Sequence, residues 1–144
     1  MNATLLSHLT FNHCAQLLAH GGQVSCGFPS PAADYQVPDL SLDALVGLTP
    51  TSSMFLFRAW GHSMTGAGIY DGDVLIVDRA AKASPGKVVV AVVGAEFLVK
   101  RLAQDASGRL YLHADNPSHK PITLADDEIL EVWGVCRWNL HCLD

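Results

Sequence analysis

From Ser53 onward the chain is a succession of short apolar runs, each stopped by glycine, proline or a polar cluster before a helical period can build. The runs cover residues 54–60, 74–78, 88–93, 97–102, 110–113 and 130–140. Four to eleven residues with many β-branched and aromatic side chains favour strands over helices. A mostly β body of short strands is therefore predicted. Gly94-Ala95 joins two of the runs at hairpin spacing, and Gly72, between Asp71 and Asp73, marks a second turn.

Residues 1–39 differ: they show no sustained period, contain Gly21-Gly22 and the cluster 27–33, and end near Pro38. They read as an extended or partly helical arm, with Leu5, Leu6, Leu9, Leu17 and Leu18 as candidate helical turns. Such an arm is too short for a separate DNA-binding domain. Residues 40–144 form the body, and 39–48 suggest a short helix with Ser41 as its cap and Gly47 near its end. A chain of 144 residues with 49% apolar and 16% charged composition suits one core. With the arm excluded that core is modest, and dimerisation would support it.

Nine basic against fourteen acidic residues, a net charge of −5, oppose tight contact with a phosphate backbone, and the cations are scattered. No direct sequence-specific DNA binding is expected. The first residues lack the positive region of a secretory signal, and the apolar run 88–93 is far too short to cross a bilayer. A soluble, cytoplasmic protein without membrane contact is expected. Cys14, Cys26, Cys136 and Cys142 show no C-x-x-C spacing, so free thiols are expected in a reducing compartment. The pairs His13-Cys14 and His141-Cys142 lack the spacing of zinc ligands, so neither a metal nor another cofactor is expected.

Strand alternation in the predicted hairpin puts Phe97, Val99 and Arg101 on one face and Glu96, Leu98, Lys100 and Leu102 on the other. A lysine between Leu98 and Leu102 in a small sheet is a candidate for partial desolvation, which disfavours the charged form and yields a base. Most lysines lie in water, so Lys100 gains weight only from a partner. Ser63, in the turn Gly61-His62-Ser63-Met64, is that candidate. A hydroxyl becomes a nucleophile when a nearby base takes its proton, and Ser-Lys pairs do this. Gly61 permits a sharp bend that aims the amides of His62 and Ser63 at a developing oxyanion. Loop serines more often serve turns, and only folding can join residues 37 positions apart.

Three motifs occur in order: Ser63-Met64; Ala67-Gly68-Ile69-Tyr70-Asp71-Gly72-Asp73-Val74-Leu75-Ile76-Val77-Asp78; and Gly94-Ala95-Glu96-Phe97-Leu98-Val99-Lys100-Arg101-Leu102. Together they strongly resemble the LexA/UmuD family of self-cleaving proteins, and Cys26-Gly27-Phe28-Pro29-Ser30-Pro31 is similar to its cleavage region. The resemblance runs from about Val24 to the last strand. It implies a dimerising β-rich peptidase body with Ser63 as nucleophile, Lys100 as neutral base, the amides of His62 and Ser63 as oxyanion site, and Cys26-Gly27 as the scissile bond. It also implies stimulation by a RecA filament on single-stranded DNA and service of the trimmed dimer to a UmuC-type translesion polymerase. The first 23 residues match no motif of the family, and His62 departs from the acidic residue frequent there.

Three rivals are weighed against this reading. A non-catalytic dimeric polymerase adaptor with an idle dyad would keep the fold without the reaction. A LexA-type repressor needs a DNA-binding domain that the arm is too short to form. A leader peptidase with Ser-Lys chemistry needs a membrane anchor that is not visible in this sequence.

Overall fold

The computed structural model describes residues 1–8, 17–18, 40–120 and 130–144. Strands β1 (Asn2–His8), β2 (Leu17–Leu18), β3 (Leu40–Ser41), β4 (Met54–Trp60), β5 (Val74–Asp78), β6 (Val88–Val93), β7 (Glu96–Gln104), β8 (Leu110–His113) and β9 (Glu131–Leu140) carry the fold, with helix α1 (Leu42–Val46). Seven strands make one sheet in the order β1-β4-β5-β9-β6-β7-β8, and β1 also pairs with β7. That extra pairing bends the sheet round on itself into a barrel-like closure. The two-residue strands β2 and β3 pair separately. The fold is mostly β, as the short runs require.

Local sequence explains the elements. Val88–Val93 is apolar throughout because β6 lies between β7 and β9 and is buried on both faces. Val90 joins a cluster with Phe57, Leu75, Val77 and Val99, while Val89 and Ala91 join Leu102, Leu112 and Val135. In the first cluster Phe57, Phe97 and Trp133 meet edge to face at centroid distances of 4.9–5.9 Å. The hairpin β6–β7 closes at Gly94-Ala95, with Val93 opposite Glu96. Helix α1 follows its predicted caps: Ser41 Oγ accepts from Ala44 N, and Gly47 ends it in the left-handed conformation at φ 75°. Its Val46 packs with Met54 and Ile76 outside the barrel.

The arm takes the extended form where it is described. Residues 2–8 pair antiparallel with β4, Asn2 opposite Trp60 and Ala3 opposite Ala59, and also meet β7 at Leu98 and Phe97. Leu5 and Leu6 on β1 and Leu17 and Leu18 on β2 are therefore strand residues and not parts of helical turns, while Leu9 lies outside the described residues. Met1 and Ala3 are buried while Asn2 and Thr4 are exposed, the two-residue period of a strand. The segment around Cys26-Gly27 lies outside the described residues.

Candidate functional site

Strand β4 delivers Ser63. At its end Gly61 turns with φ 95°, and its N–H donates to Asp71 Oδ1 at 2.6 Å, so the chain leaves the sheet sharply. Ser63 and Met64 then fold inward, both essentially without solvent access (1% and 0%), while His62 stays exposed. A single 3-10 turn over Thr65–Ala67 follows, with Ala67 N donating to Met64 O at 2.9 Å.

Strand β7 delivers Lys100, which is 5% exposed although it is a lysine. Its Nζ hydrogen bonds to Ser63 Oγ. The structure thus brings together the two residues that the sequence had singled out, and it buries both. A buried amine is costly without a hydrogen-bond partner, and the Ser63 hydroxyl supplies one.

The α-amino group of Met1 also donates to Ser63 Oγ. Burial, followed by hydrogen bonding to and the charge of Lys100, pushes this amine from 8.0 down to about 5. Sequence reasoning missed Met1, since its position depends on a strand pairing that brings residue 1 beside residues 63 and 100.

Behind the serine loop lies a second polar group. Arg101, which follows Lys100 and points the other way, binds Asp115 through Nε at 2.8 and 3.1 Å and through Nη2. The guanidinium holds the Asp115 carboxyl below the ordinary carboxylate range, and the carboxylate raises Arg101 in turn. Asp115 O accepts from Gly66 N at 2.6 Å, and Asn116 Nδ2 donates to His62 O at 2.7 Å. For Asp115 and Asn116 the sequence signal is the turn-forming string Asp115-Asn116-Pro117, which marks a loop and no more.

Among the described residues no cluster of three or more histidine, cysteine or carboxylate side chains is placed to hold a metal ion. Among them, too, no helix is long and apolar enough to cross a membrane. Cys136 and Cys142 are free thiols, and burial pushes Cys136 up to about 12, far from a reactive thiolate.

A β-rich body that buries a serine hydroxyl against a lysine amine is the arrangement of serine peptidases that use lysine where others use histidine. The comparisons agree with that class. The family described as Peptidase S24-like matches residues 18–137. MucA of Salmonella typhimurium is 40% identical over 119 residues, 82% of this chain and 80% of its own length. ImpA of Shigella flexneri is 40% identical over 115 residues, 80% of this chain and 77% of its own length. The LexA repressor of Bordetella parapertussis is 38% identical over 135 residues, 93% of this chain but 61% of its own length. The chain belongs to the Peptidase S24-like family, the LexA/UmuD family of self-cleaving serine peptidases.

Proposed function

We propose that this chain is a UmuD-like SOS mutagenesis protein of the cytoplasm that cuts itself between Cys26 and Gly27. The contact of Lys100 Nζ with Ser63 Oγ inside the protein is the observation that carries this reading. Residues 1–39 are the arm that is cut, and 40–144 the peptidase and dimerisation body. In the reaction the uncharged Lys100 amine takes the Ser63 proton as Oγ attacks the carbonyl carbon of Cys26. The amides of His62 and Ser63 hold the oxyanion. Collapse breaks the Cys26–Gly27 bond, and Lys100 returns its proton to the departing Gly27 amine. Lys100 then activates a water that frees the Cys26 carboxylate from Ser63. Glycine after the cut leaves the attacking oxygen unobstructed.

A RecA filament on single-stranded DNA stimulates the cut, and the trimmed homodimer serves as accessory subunit of a UmuC-type translesion polymerase. The net charge of −5 favours a role carried by protein partners over one of direct DNA binding. Only an uncharged amine accepts the hydroxyl proton, so self-cleavage accelerates toward alkaline pH.

The test is incubation of the purified full chain with a nucleotide-bound RecA filament, followed by N-terminal sequencing of the product. A fragment beginning at Gly27, absent from Ser63→Ala and from Lys100→Ala while both remain folded, is expected. Continued cutting in either variant removes that residue from the mechanism. A folded wild-type chain that never fragments marks a polymerase adaptor with an idle dyad.

A further inference from the structure

Ser63 and Lys100 lie on separate segments, and no strand pairing ties the loop 61–68 to β7. Strand β1 ties β4 to β7, with Asn2 opposite both Trp60 and Leu98, but the loop beyond β4 needs a hold of its own. We propose that Asn116 is a positioning residue for the Ser63 nucleophile, acting from a short segment that Arg101 anchors to the strand of Lys100. The inference rests on the Ser63–Lys100 reading above and adds to it.

Three contacts link the segment to both sides of the serine. Asn116 Nδ2 donates to the carbonyl of His62, the residue before Ser63, at 2.7 Å. Asp115 N lies 3.5 Å from Met64 Sδ, the residue after it. Asp115 O accepts from Gly66 N at 2.6 Å, in the middle of the 3-10 turn. The approach at Gly66 is so close that a Cβ there would strike the Asp115 carbonyl oxygen, and the loop and segment fit together only around a glycine.

The segment in turn has a fixed seat. The carboxylate of Asp115 takes the fork of Arg101 from β7, and Arg101 Nη1 also donates to Gly86 O at 2.6 Å. Arg101 is the residue after Lys100, so displacement of the segment relative to the loop is displacement of the hydroxyl relative to the amine. The orientation of the Asn116 amide is also determined. Its Oδ1 accepts from Ser118 N at 2.9 Å, so the opposite orientation would set an N–H against an N–H and an oxygen against the His62 carbonyl.

A nucleophile loses rate steeply when it moves by an ångström. The experiment compares Asn116→Ala, Asn116→Asp and Asn116→Gln with the full-length wild type, reading self-cleavage at alkaline pH, the melting temperature and amide hydrogen exchange of residues 62–66. Ala removes the donor, and Asp keeps the shape but turns an acceptor toward the His62 carbonyl. Both are expected to slow cutting about tenfold to a hundredfold and to speed exchange in the loop, with melting nearly unchanged. Gln retains the amide donor and is expected to recover part of the rate.

Wild-type cutting and wild-type loop exchange in both Ala and Asp overturn the inference. So does a loss of rate that follows melting alone and is not recovered by Gln. Ser63→Ala serves as the separate control: cutting that survives it overturns the Ser63 mechanism, while loop exchange still reads whether Asn116 holds the loop.

Discussion

Lys100 and Arg101 are neighbours on β7 with opposite tasks, and strand alternation alone separates them. Lysine's single compact charge can be surrendered as a proton, whereas the guanidinium is a permanent fork suited to a carboxylate. Tight contact elsewhere is equally residue-specific. Gly134 on β9 packs so closely that a Cβ would lie 2.8 Å from Val77 Cγ1 and 3.1 Å from Asp78 O. Gly134→Ala is expected to cost about 1–3 kcal/mol through overpacking, seen as a melting temperature lowered by several degrees.

At the scale of elements, the pairing pattern predicts a hierarchy of opening. Strand β6 is bonded on both edges and buried on both faces, whereas among the described residues β8 is bonded only to β7. Native-state hydrogen exchange is expected to be slowest in β6 and markedly faster along the outer edge of β8. These strands, the Gly94-Ala95 hairpin and the caps of α1 were legible because each is encoded within a few neighbouring residues. Strand β1 was not legible as part of the main sheet. Of residues 1–6 only Met1 and Ala3 are buried, too few to reveal a period, and the strand's partners lie 47 or more residues away. The site shows the same division. Ser63 and Lys100 carry motif and residue type, but Asp115 and Asn116 act largely on main-chain carbonyl and amide groups of the loop, contacts that leave no side-chain pattern to read.

For the whole molecule, acid is the expected weakness. Asp73 is 3% exposed, and burial alone would raise its pKa. Hydrogen bonds from Tyr70 N at 2.8 Å, His141 Nδ1 at 2.6 Å and Asn139 Nδ2 at 2.9 Å outweigh that effect and hold it below 3.8. A depressed carboxylate means that the unfolded chain binds the proton first, so this contribution is present above about pH 4 and fades as pH falls through the folded value. Asp115 acts with the same sign. Urea midpoints are expected to drop between pH 5 and 3, and Asp73→Asn to be less stable at neutral pH with a shallower acid limb.

The barrel's last seam carries a further consequence. Strand β1 is wedged between β4 and β7, and Met1, just before it, leans on the hydroxyl of Ser63. Met1 thus occupies the place beside that oxygen, and its carbonyl accepts from Val99 N at 2.8 Å, so displacing it breaks a bond to β7. An incoming carbonyl and the end of the sheet's own seam compete for one position, which joins access to the hydroxyl with the closure of the barrel.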